Sequence, residues 1–296
     1  MGFADSIAVN SAFTKGIVSR TWPSLAARRS LEVVHPCIDV RPPPNNEDDS
    51  VLPWTSNGII LSINRFERKK DIALAIRAFA SLSPAQRGKA KLIIAGGYDN
   101  RVHENVSYHT ELVNLAESAP FNLKTATAKT VVSALNTPPD TQVLFLLSVP
   151  SALKEILLRS AKLLVYTPSN EHFGIVPLEA MLRGVPVLAA NNGGPVETVV
   201  EGETGWLRDP KDTEAWAGGM DRVLNGMGEE ELKRMGRRGQ ERVRSRFADA
   251  QMAERLEEII ERMPRGQKGD GMVLVVVGAV LAGVAGVVGA VFWRLW

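Results

Sequence analysis

Short runs of residues that are apolar on both faces recur along the middle of this sequence, and they alternate with segments of helical periodicity. Five of these runs are predicted to be strands, at residues 58–64, 90–95, 142–148, 162–167 and 185–190. Strands of this kind belong to parallel sheets that helices cover on each side. Apolar stripes at 72–80 and 153–157 supply helices for that cover. The sequence therefore predicts an α/β fold, a doubly wound parallel sheet.

Two glutamates lie in the segment between the fourth predicted strand and the helix that follows it. The helix is predicted to begin near Gly174, so the free N–H groups of its first turn would form a site for an anion such as a diphosphate. Glu179 lies about one turn inside this helix, where it can accept hydrogen bonds from vicinal hydroxyls. Glu171 lies in the preceding loop and faces the same cleft. Isolated glutamates are usually solvated, and the strand–loop–helix context is what favours a site.

Basic residues follow the first predicted strand directly. Arg65 and Lys70 are predicted to enter the cleft at the carboxyl ends of the strands, where they could neutralise a diphosphate. A solvated basic loop is the alternative. The pair Gly96–Gly97 follows the second strand, where backbone can approach a ligand closely. A further glycine turn at 191–197 follows the fifth strand, and a simple tight turn explains it at least as well.

Several classes of protein are disfavoured by what the sequence lacks. It contains no zinc-type Cys/His cluster, no Walker loop and no GxSxG elbow. A net charge of +2 over 296 residues gives no reason to expect binding to nucleic acid. The single cysteine, Cys37, excludes an internal disulfide and favours a reducing compartment.

The regions on either side of the sheet domain have their own patterns. Strands are predicted at 6–10 and 32–35, and 118–140 is expected to be a surface excursion. Helices are predicted at 212–225, 229–247 and 249–263. The predicted domain limits are 1–40 for an N-terminal segment, 41–57 for a linker, 58–263 for the sheet domain, 264–271 for a second linker and 272–293 for a terminal helix.

The predicted terminal helix, 272–293, contains no charged residue. A helix of this length spans about 33 Å, which is enough to cross a bilayer. Arg262, Arg265 and Lys268 precede it and only Arg294 follows, so the globular part is predicted to face the cytosol. Small residues at i,i+4 spacing would allow a second helix to approach. A buried helix of a soluble domain is the alternative.

The segments SINRFERKKDIALAI, AGGYDNRVHENVSYHTEL, YTPSNEHFGIVPLEAM and NNGGPVETVVEGETGW occur in this order. Their motifs resemble the C-terminal, Rossmann-like domain of retaining, GT-B type glycosyltransferases. The likeness is closer to the alpha-1,3/1,6-mannosyltransferases of dolichol-linked oligosaccharide assembly and extends to about residue 262. By this resemblance, 1–40 is the remnant of an N-terminal acceptor domain with its crossover, and 58–263 is the donor-binding domain.

The resemblance implies an enzyme that transfers mannose from GDP-mannose to a dolichyl-diphosphate oligosaccharide, forming α-1,3 and α-1,6 linkages. The implied location is the endoplasmic reticulum membrane, with the globular part in the cytosol. The family generally acts without a bound metal, so no metal or other cofactor is expected. Other glycosyltransferases of the same pathway, or a second copy of the chain, are implied as partners.

The resemblance also assigns roles to residues. Arg65 and Lys70 would hold the diphosphate, and Gly97 would adjoin the donor. Glu171 would be the catalytic residue that contacts the transferred mannose, and Glu179 would hold the ribose hydroxyls. The donor would also touch the backbone of four consecutive residues, Phe173, Gly174, Ile175 and Val176.

Two alternatives stay open. Because the first domain of the family is largely missing from this chain, the chain could be a non-catalytic, membrane-tethered subunit for donor binding or assembly. A nucleotide sugar other than GDP-mannose is the second alternative, since these side chains contact phosphate, ribose and sugar rather than the base.

Overall fold

The computed structural model of the chain describes residues 6–41 and 58–263, together with the two-residue strands Leu274–Val275 and Val291–Phe292. The chain divides into two compact units. The smaller combines Met1–Asp39 with Ser245–Trp296, and the larger is Val40–Arg244.

The smaller unit is built on two parallel strands. Strand β1 (Ser6–Val9) pairs with β2 (Ser30–Val33), and helices α1 (Ala12–Thr21) and α2 (Pro23–Arg28) connect them. The side-chain hydroxyl of Ser11 caps α1 by accepting the backbone N–H of Thr14 at 2.9 Å. Three apolar side chains form the core, namely Val9, Val18 and Leu31. Both predicted strands are confirmed, although β2 begins two residues before the predicted 32–35.

The larger unit contains a seven-stranded parallel sheet. Its strands are β3 (Ile59–Ile63), β4 (Lys91–Gly96), β5 (Thr125–Ala128), β6 (Val143–Leu147), β7 (Ala161–Tyr166), β8 (Val187–Ala190) and β9 (Gly205–Arg208). Their spatial order is β5-β6-β4-β3-β7-β8-β9. The chain therefore begins near the middle, winds to the edge at β5 and returns to β7 on the other side of β3, which confirms the doubly wound parallel sheet.

Helices follow most of the strands of the sheet. They are α3 (Ile72–Ser81), α4 (Pro84–Arg87), α5 (His103–Glu117), α6 (Val131–Leu135), α7 (Ser151–Ser160), α8 (Ile175–Leu182), α9 (Pro195–Thr198), α10 (Thr213–Asp221) and α11 (Glu229–Arg246). A 3₁₀ turn at Arg68–Lys70 precedes α3, and a π-helical segment at Arg222–Gly226 follows α10. Every residue of β3, β6 and β8 is buried, because helices cover both faces of the sheet.

All five predicted strands are confirmed, and the sheet has two more that the sequence pattern did not indicate. The prediction that 118–140 is a surface excursion is wrong, since this segment contains β5 and α6. The strand has the sequence TATA and forms the edge of the sheet, where only Ala128 is buried. Its pairing with β6 compensates for the weak apolar pattern. The other missed strand, β9, is only four residues long.

The helix predicted at 249–263 is confirmed as α12 (Asp249–Glu261), but it belongs to a different unit from the one predicted. The limits 58–263 placed it with the sheet domain, whereas it is part of the smaller unit. Its Arg255 guanidinium donates to Glu32 at 2.6 Å and to the carbonyl of Val33 at 3.2 Å, which attaches the helix to β2.

Most of the predicted terminal helix, 272–293, and both predicted linkers lie outside the described residues, except for Arg41 at the start of the first linker. The four described positions of 272–293 form strands β10 (Leu274–Val275) and β11 (Val291–Phe292), which pair antiparallel, so the backbone there is extended rather than helical. Among the helices that the structure describes, none combines the length and hydropathy needed to span a bilayer.

Candidate functional site

The point where the direction of winding reverses lies between β3 and β7, which are neighbours in the sheet. Ligands of open α/β sheets bind beyond the carboxyl ends of the strands at such a point. The loop after β3 contains Arg65 and Lys70, and the loop after β7 contains Glu171. The fold thus places both predicted loops at the switch point.

The ammonium of Lys70 donates a hydrogen bond to Oε2 of Glu171. The two side chains are only 14% and 21% exposed. A second contact joins the same loops, because the hydroxyl of Thr167 donates to the carbonyl of Lys70 at 2.7 Å. The structure therefore brings two predicted site residues together in one partly buried ion pair.

The charge of Glu171 is set by two opposing influences. Burial by itself would raise the pKa of Glu171, but the hydrogen bond and positive charge of Lys70 outweigh it and hold the pKa below the ordinary value of 4.5. Tyr166 is buried next to it, with its hydroxyl 3.4 Å from Oε2 of Glu171. Burial, and then the charge of Glu171, raise the pKa of Tyr166 well above 10.0. At neutral pH, Glu171 is thus a carboxylate facing a protonated phenol.

Helix α8 begins at Ile175, immediately after Gly174 as predicted. Gly174 has a φ of +86°, and a Cβ there would lie 3.1 Å from the ring of Tyr166. The side chain of Phe173 is buried, Ile175 is exposed and Val176 is half-buried. No side chain in the described part of the chain caps this helix, so N–H groups of its first turn are free to bind an anion.

Glu179 lies inside α8 and pairs with Lys154 of α7. The ammonium is 2.7 Å from Oε1 and 2.7 Å from Oε2. The contact with Oε1 has hydrogen-bond geometry, while Oε2 is a buried oxygen held by the ionic contact within the described residues. The side chain of Glu179 is 28% exposed, so a hydroxyl of a bound molecule can reach another part of the carboxylate.

A cleft of about 660 Å³ lies at the ends of β3, β4 and β6, and Arg65, Gly97 and Lys154 are among its lining residues. A Cβ at Gly97 would be 3.3 Å from Cγ of Arg65, and one at Gly96 would be 2.0 Å from the carbonyl oxygen of Asn64. The glycines therefore let the end of β4 lie directly against the loop after β3.

The predicted phosphate ligands have different partners in the structure. Arg65 is exposed in the cleft and pairs with Glu67 at 3.0 Å. Lys70 instead pairs with Glu171 and is not among the residues that line this cleft. Of the two predicted phosphate ligands, Arg65 lines the cleft and Lys70 does not.

Three side chains near the predicted site residues had no role assigned to them from the sequence. They are Tyr166, which lies beside Glu171, Lys154, which pairs with Glu179, and Asn192, which accepts the backbone N–H of Asn170 at 2.7 Å. Tyr166 ends β7, Lys154 lies in the helix that follows β6, and Asn192 follows β8. The rule that ligands bind at the carboxyl ends of parallel strands could have indicated all three.

No group of three or more His, Cys, Asp or Glu side chains in the described ranges is arranged to hold a metal ion. The expectation that the chemistry needs no metal stays a prediction.

A family model and individual related proteins both identify the chain as similar to glycosyltransferases. The model of the family described as glycosyl transferases group 1 matches residues 45–242. The alpha-1,3/1,6-mannosyltransferase alg-2 of Neurospora crassa is 80% identical, and the match covers 100% of this chain and 64% of that protein. The alpha-1,3/1,6-mannosyltransferase alg2 of Schizosaccharomyces pombe is 42% identical, with 87% of this chain and 50% of that protein covered. The chain thus spans about half to two thirds of these relatives, and the resemblance noted in the sequence is confirmed.

Solved structures match the fold. Sucrose-phosphate synthase from Thermosynechococcus elongatus superposes with a TM-score of 0.67 at 23% identity, over 88% of this chain and 58% of that one. HepE of Anabaena, in complex with UDP-glucose, superposes with a TM-score of 0.66 at 20% identity, over 88% of this chain and 64% of that one. At these identities the match supports the Rossmann-type, GT-B-like fold alone.

Proposed function

This chain belongs to the glycosyl transferases group 1 family, and from that premise we propose that it is the donor-binding part of an alpha-1,3/1,6-mannosyltransferase. The reaction would transfer mannose from GDP-mannose to a dolichyl-diphosphate oligosaccharide, with α-1,3 and α-1,6 linkages, early in the assembly of the N-glycan precursor. The observation that carries the proposal is the Lys70–Glu171 pair at the switch point, beside the uncapped start of α8. The 80% identity to a protein of that name supports the choice of sugar and of the two linkages.

In this proposal the diphosphate binds between the cleft and the start of α8. Arg65 offers a planar pair of donors, and the helix contributes free N–H groups with a partial positive charge. An ammonium has three donors, so Lys70 can hold Glu171 and still donate to a phosphate oxygen. Fixed cations and a helix N-terminus offset the charge that develops on the leaving diphosphate, so the proposed reaction requires no metal.

Glu171 and Glu179 have separate tasks in the proposed site. Glu171 is held ionised by Lys70 and accepts hydrogen bonds from hydroxyls of the mannose that is transferred. Glu179, which Lys154 holds in place, accepts hydrogen bonds from the ribose hydroxyls through its carboxylate. Lys154, which lines the cleft beside it, adds a positive charge toward the nucleotide.

The first test is calorimetric titration of the whole chain with GDP-mannose. We expect Glu179→Ala and Arg65→Met each to weaken binding about 10-fold or more, since the first removes a charged acceptor and the second a charged donor. Lys233→Ala, in an exposed ion pair of α11, is the control and should bind like the wild type. UDP in competition with GDP tests the choice of nucleotide. A folded chain that binds no GDP-mannose would contradict the proposal.

A transfer assay separates the enzyme from the non-catalytic alternative. The purified chain is incubated with GDP-mannose and the dolichyl-diphosphate oligosaccharide, with and without a metal chelator. Mannose transfer that continues with the chelator supports a metal-independent enzyme. Binding of the donor without any transfer at high protein concentration supports a donor-binding subunit instead.

We also propose that residues 272–293 anchor the chain in the endoplasmic reticulum membrane, with the sheet domain in the cytosol. The support is the uncharged stretch and the basic residues that precede it. The small residues of this stretch would permit contact with a second copy or with another glycosyltransferase of the pathway. Deletion of residues 271–296 should release the chain from the membrane fraction, and unchanged sedimentation would contradict the anchor.

A further inference from the structure

The turn formed by residues 191–194, directly after β8, has no part in the proposed function. It contacts the loop that contains Glu171 through two hydrogen bonds. Oδ1 of Asn192 accepts the backbone N–H of Asn170 at 2.7 Å. The backbone N–H of Gly194 donates to the carbonyl of Glu171 at 2.7 Å. The bonds therefore fix the backbone at Glu171 and at the residue before it.

The glycines of the 191–194 turn allow this close approach. A Cβ at Gly193 would lie 2.6 Å from the carbonyl oxygen of Glu171 and 2.8 Å from its nitrogen. A Cβ at Gly194 would lie 2.1 Å from the carbonyl oxygen of Phe173. Atoms at these distances overlap, so any larger residue at either position would push the two loops apart. Gly193 also has a φ of +69°, which glycine adopts without strain.

The loop that receives these contacts has a backbone that local preference alone would not maintain. Asn170 has a φ of +54°, in the left-handed region that residues other than glycine seldom adopt. Residues held in such conformations persist when the surrounding structure determines them. The 191–194 turn is that surrounding structure for the first part of the loop, while Lys70 and Tyr166 contact the carboxylate itself.

We infer that Asn192 is a positioning residue for mannose transfer. The 191–194 turn holds the main chain of Glu171 so that its carboxylate meets the sugar, and Asn192 supplies the side-chain part of this contact. The inference rests on the proposed function, because Glu171 is the proposed contact to mannose. The groups proposed to bind the nucleotide are Arg65, Lys70, Lys154, Glu179 and the start of α8. Among the described residues the side chain of Asn192 bonds to Asn170 and to none of these groups, so its loss should affect sugar binding more than nucleotide binding.

The experiment compares Asn192→Ala and Asn192→Asp in the whole chain, with Asn136→Ala as a control at an exposed asparagine. Asn192→Ala should weaken GDP-mannose binding about 5- to 10-fold, the effect of one lost hydrogen bond, and leave GDP binding unchanged. Asp keeps an acceptor oxygen at the same place, so Asn192→Asp should retain wild-type affinity for GDP-mannose. Equal weakening of GDP and GDP-mannose by Asn192→Ala would overturn the inference.

A second measurement needs no ligand. Amide hydrogen exchange at Asn170 should become faster in Asn192→Ala and stay slow in Asn192→Asp, because only the alanine variant lacks an acceptor. Exchange that is the same in all variants would overturn the inference. The wild-type chain could fail to bind GDP-mannose while Asn192→Ala still shows faster exchange at Asn170. That result would support the contact made by Asn192 and would count against the proposed function only.

Discussion

The two carboxylate–lysine pairs of the candidate site are positioned in different ways. Glu179 and Lys154 both belong to helices, α8 and α7, so the hydrogen bonds of their own elements fix their backbones. Glu171 lies in a loop, and its partner Lys70 ends a single 3₁₀ turn. The loop pair therefore depends on contacts from other parts of the chain, namely the 191–194 turn and Thr167.

The pairs also differ in their contact with water. The side chains of Lys70 and Glu171 are 14% and 21% exposed, against 32% and 28% for Lys154 and Glu179. An unpaired charge costs more where less water reaches it. Glu171, whose backbone is not held by a helix or strand, is thus in the ion pair that costs more free energy to break.

Gly194→Ala should have the largest effect, because it pushes apart the two loops that position Glu171. A Cβ 2.1 Å from a backbone oxygen cannot be accommodated by a side-chain rotation, so we expect the free energy of unfolding to fall by about 3 kcal/mol. Gly218→Ala is the matched control, since no atom lies within 4 Å of its Cβ and it is inside α10. Urea denaturation should show that control stabilised by about 0.5–1 kcal/mol. A Gly194→Ala chain as stable as the wild type would mean that the loops separate without cost.

Replacement of each lysine by methionine tests whether the two ion pairs differ in their contribution to stability. Lys70→Met leaves Glu171 with little water and no cation, and we expect a loss of about 2 kcal/mol in the free energy of unfolding. Lys154 is more exposed than Lys70, at 32% against 14%, so Lys154→Met should cost less, about 1 kcal/mol. Denaturation of both variants in the same buffer measures the difference. Equal losses would mean that burial does not distinguish the two pairs.

The smallest effect concerns pH. The pKa of Glu171 in the folded chain is below its ordinary value of 4.5, so the unfolded chain binds a proton at this group more readily. The stability that the ionised group contributes is complete above the unfolded pKa and is lost as the pH falls through the lower, folded pKa. The stability difference between the wild type and Glu171→Gln should therefore shrink as the pH is lowered from 6 into that range. A difference that is independent of pH would show that the carboxylate gains nothing from Lys70.

Particular elements show how far prediction from the sequence extended. The two strands that flank the switch point were predicted correctly, and so was the start of α8, immediately after Gly174. Apolar runs and a glycine before a helix are local signals. The edge strand β5 was missed, since a TATA segment has no apolar pattern and its pairing with β6 comes from elsewhere in the chain. The placement of α12 was wrong for the same reason, because Arg255 bonds to Glu32, which lies 223 positions away in the chain.

Local patterns in the sequence are sufficient to specify the doubly wound sheet, the edge at which a ligand would bind and the spacing of Glu171 and Glu179 about a helix start. These features follow from periodicity and backbone preferences within a few residues. The pairing of Lys70 with Glu171, 101 positions away, and the support of the same loop by Asn192 became visible in the folded chain. Such contacts depend on which loops the sheet brings together, and no local pattern in a sequence encodes the distance between two loops.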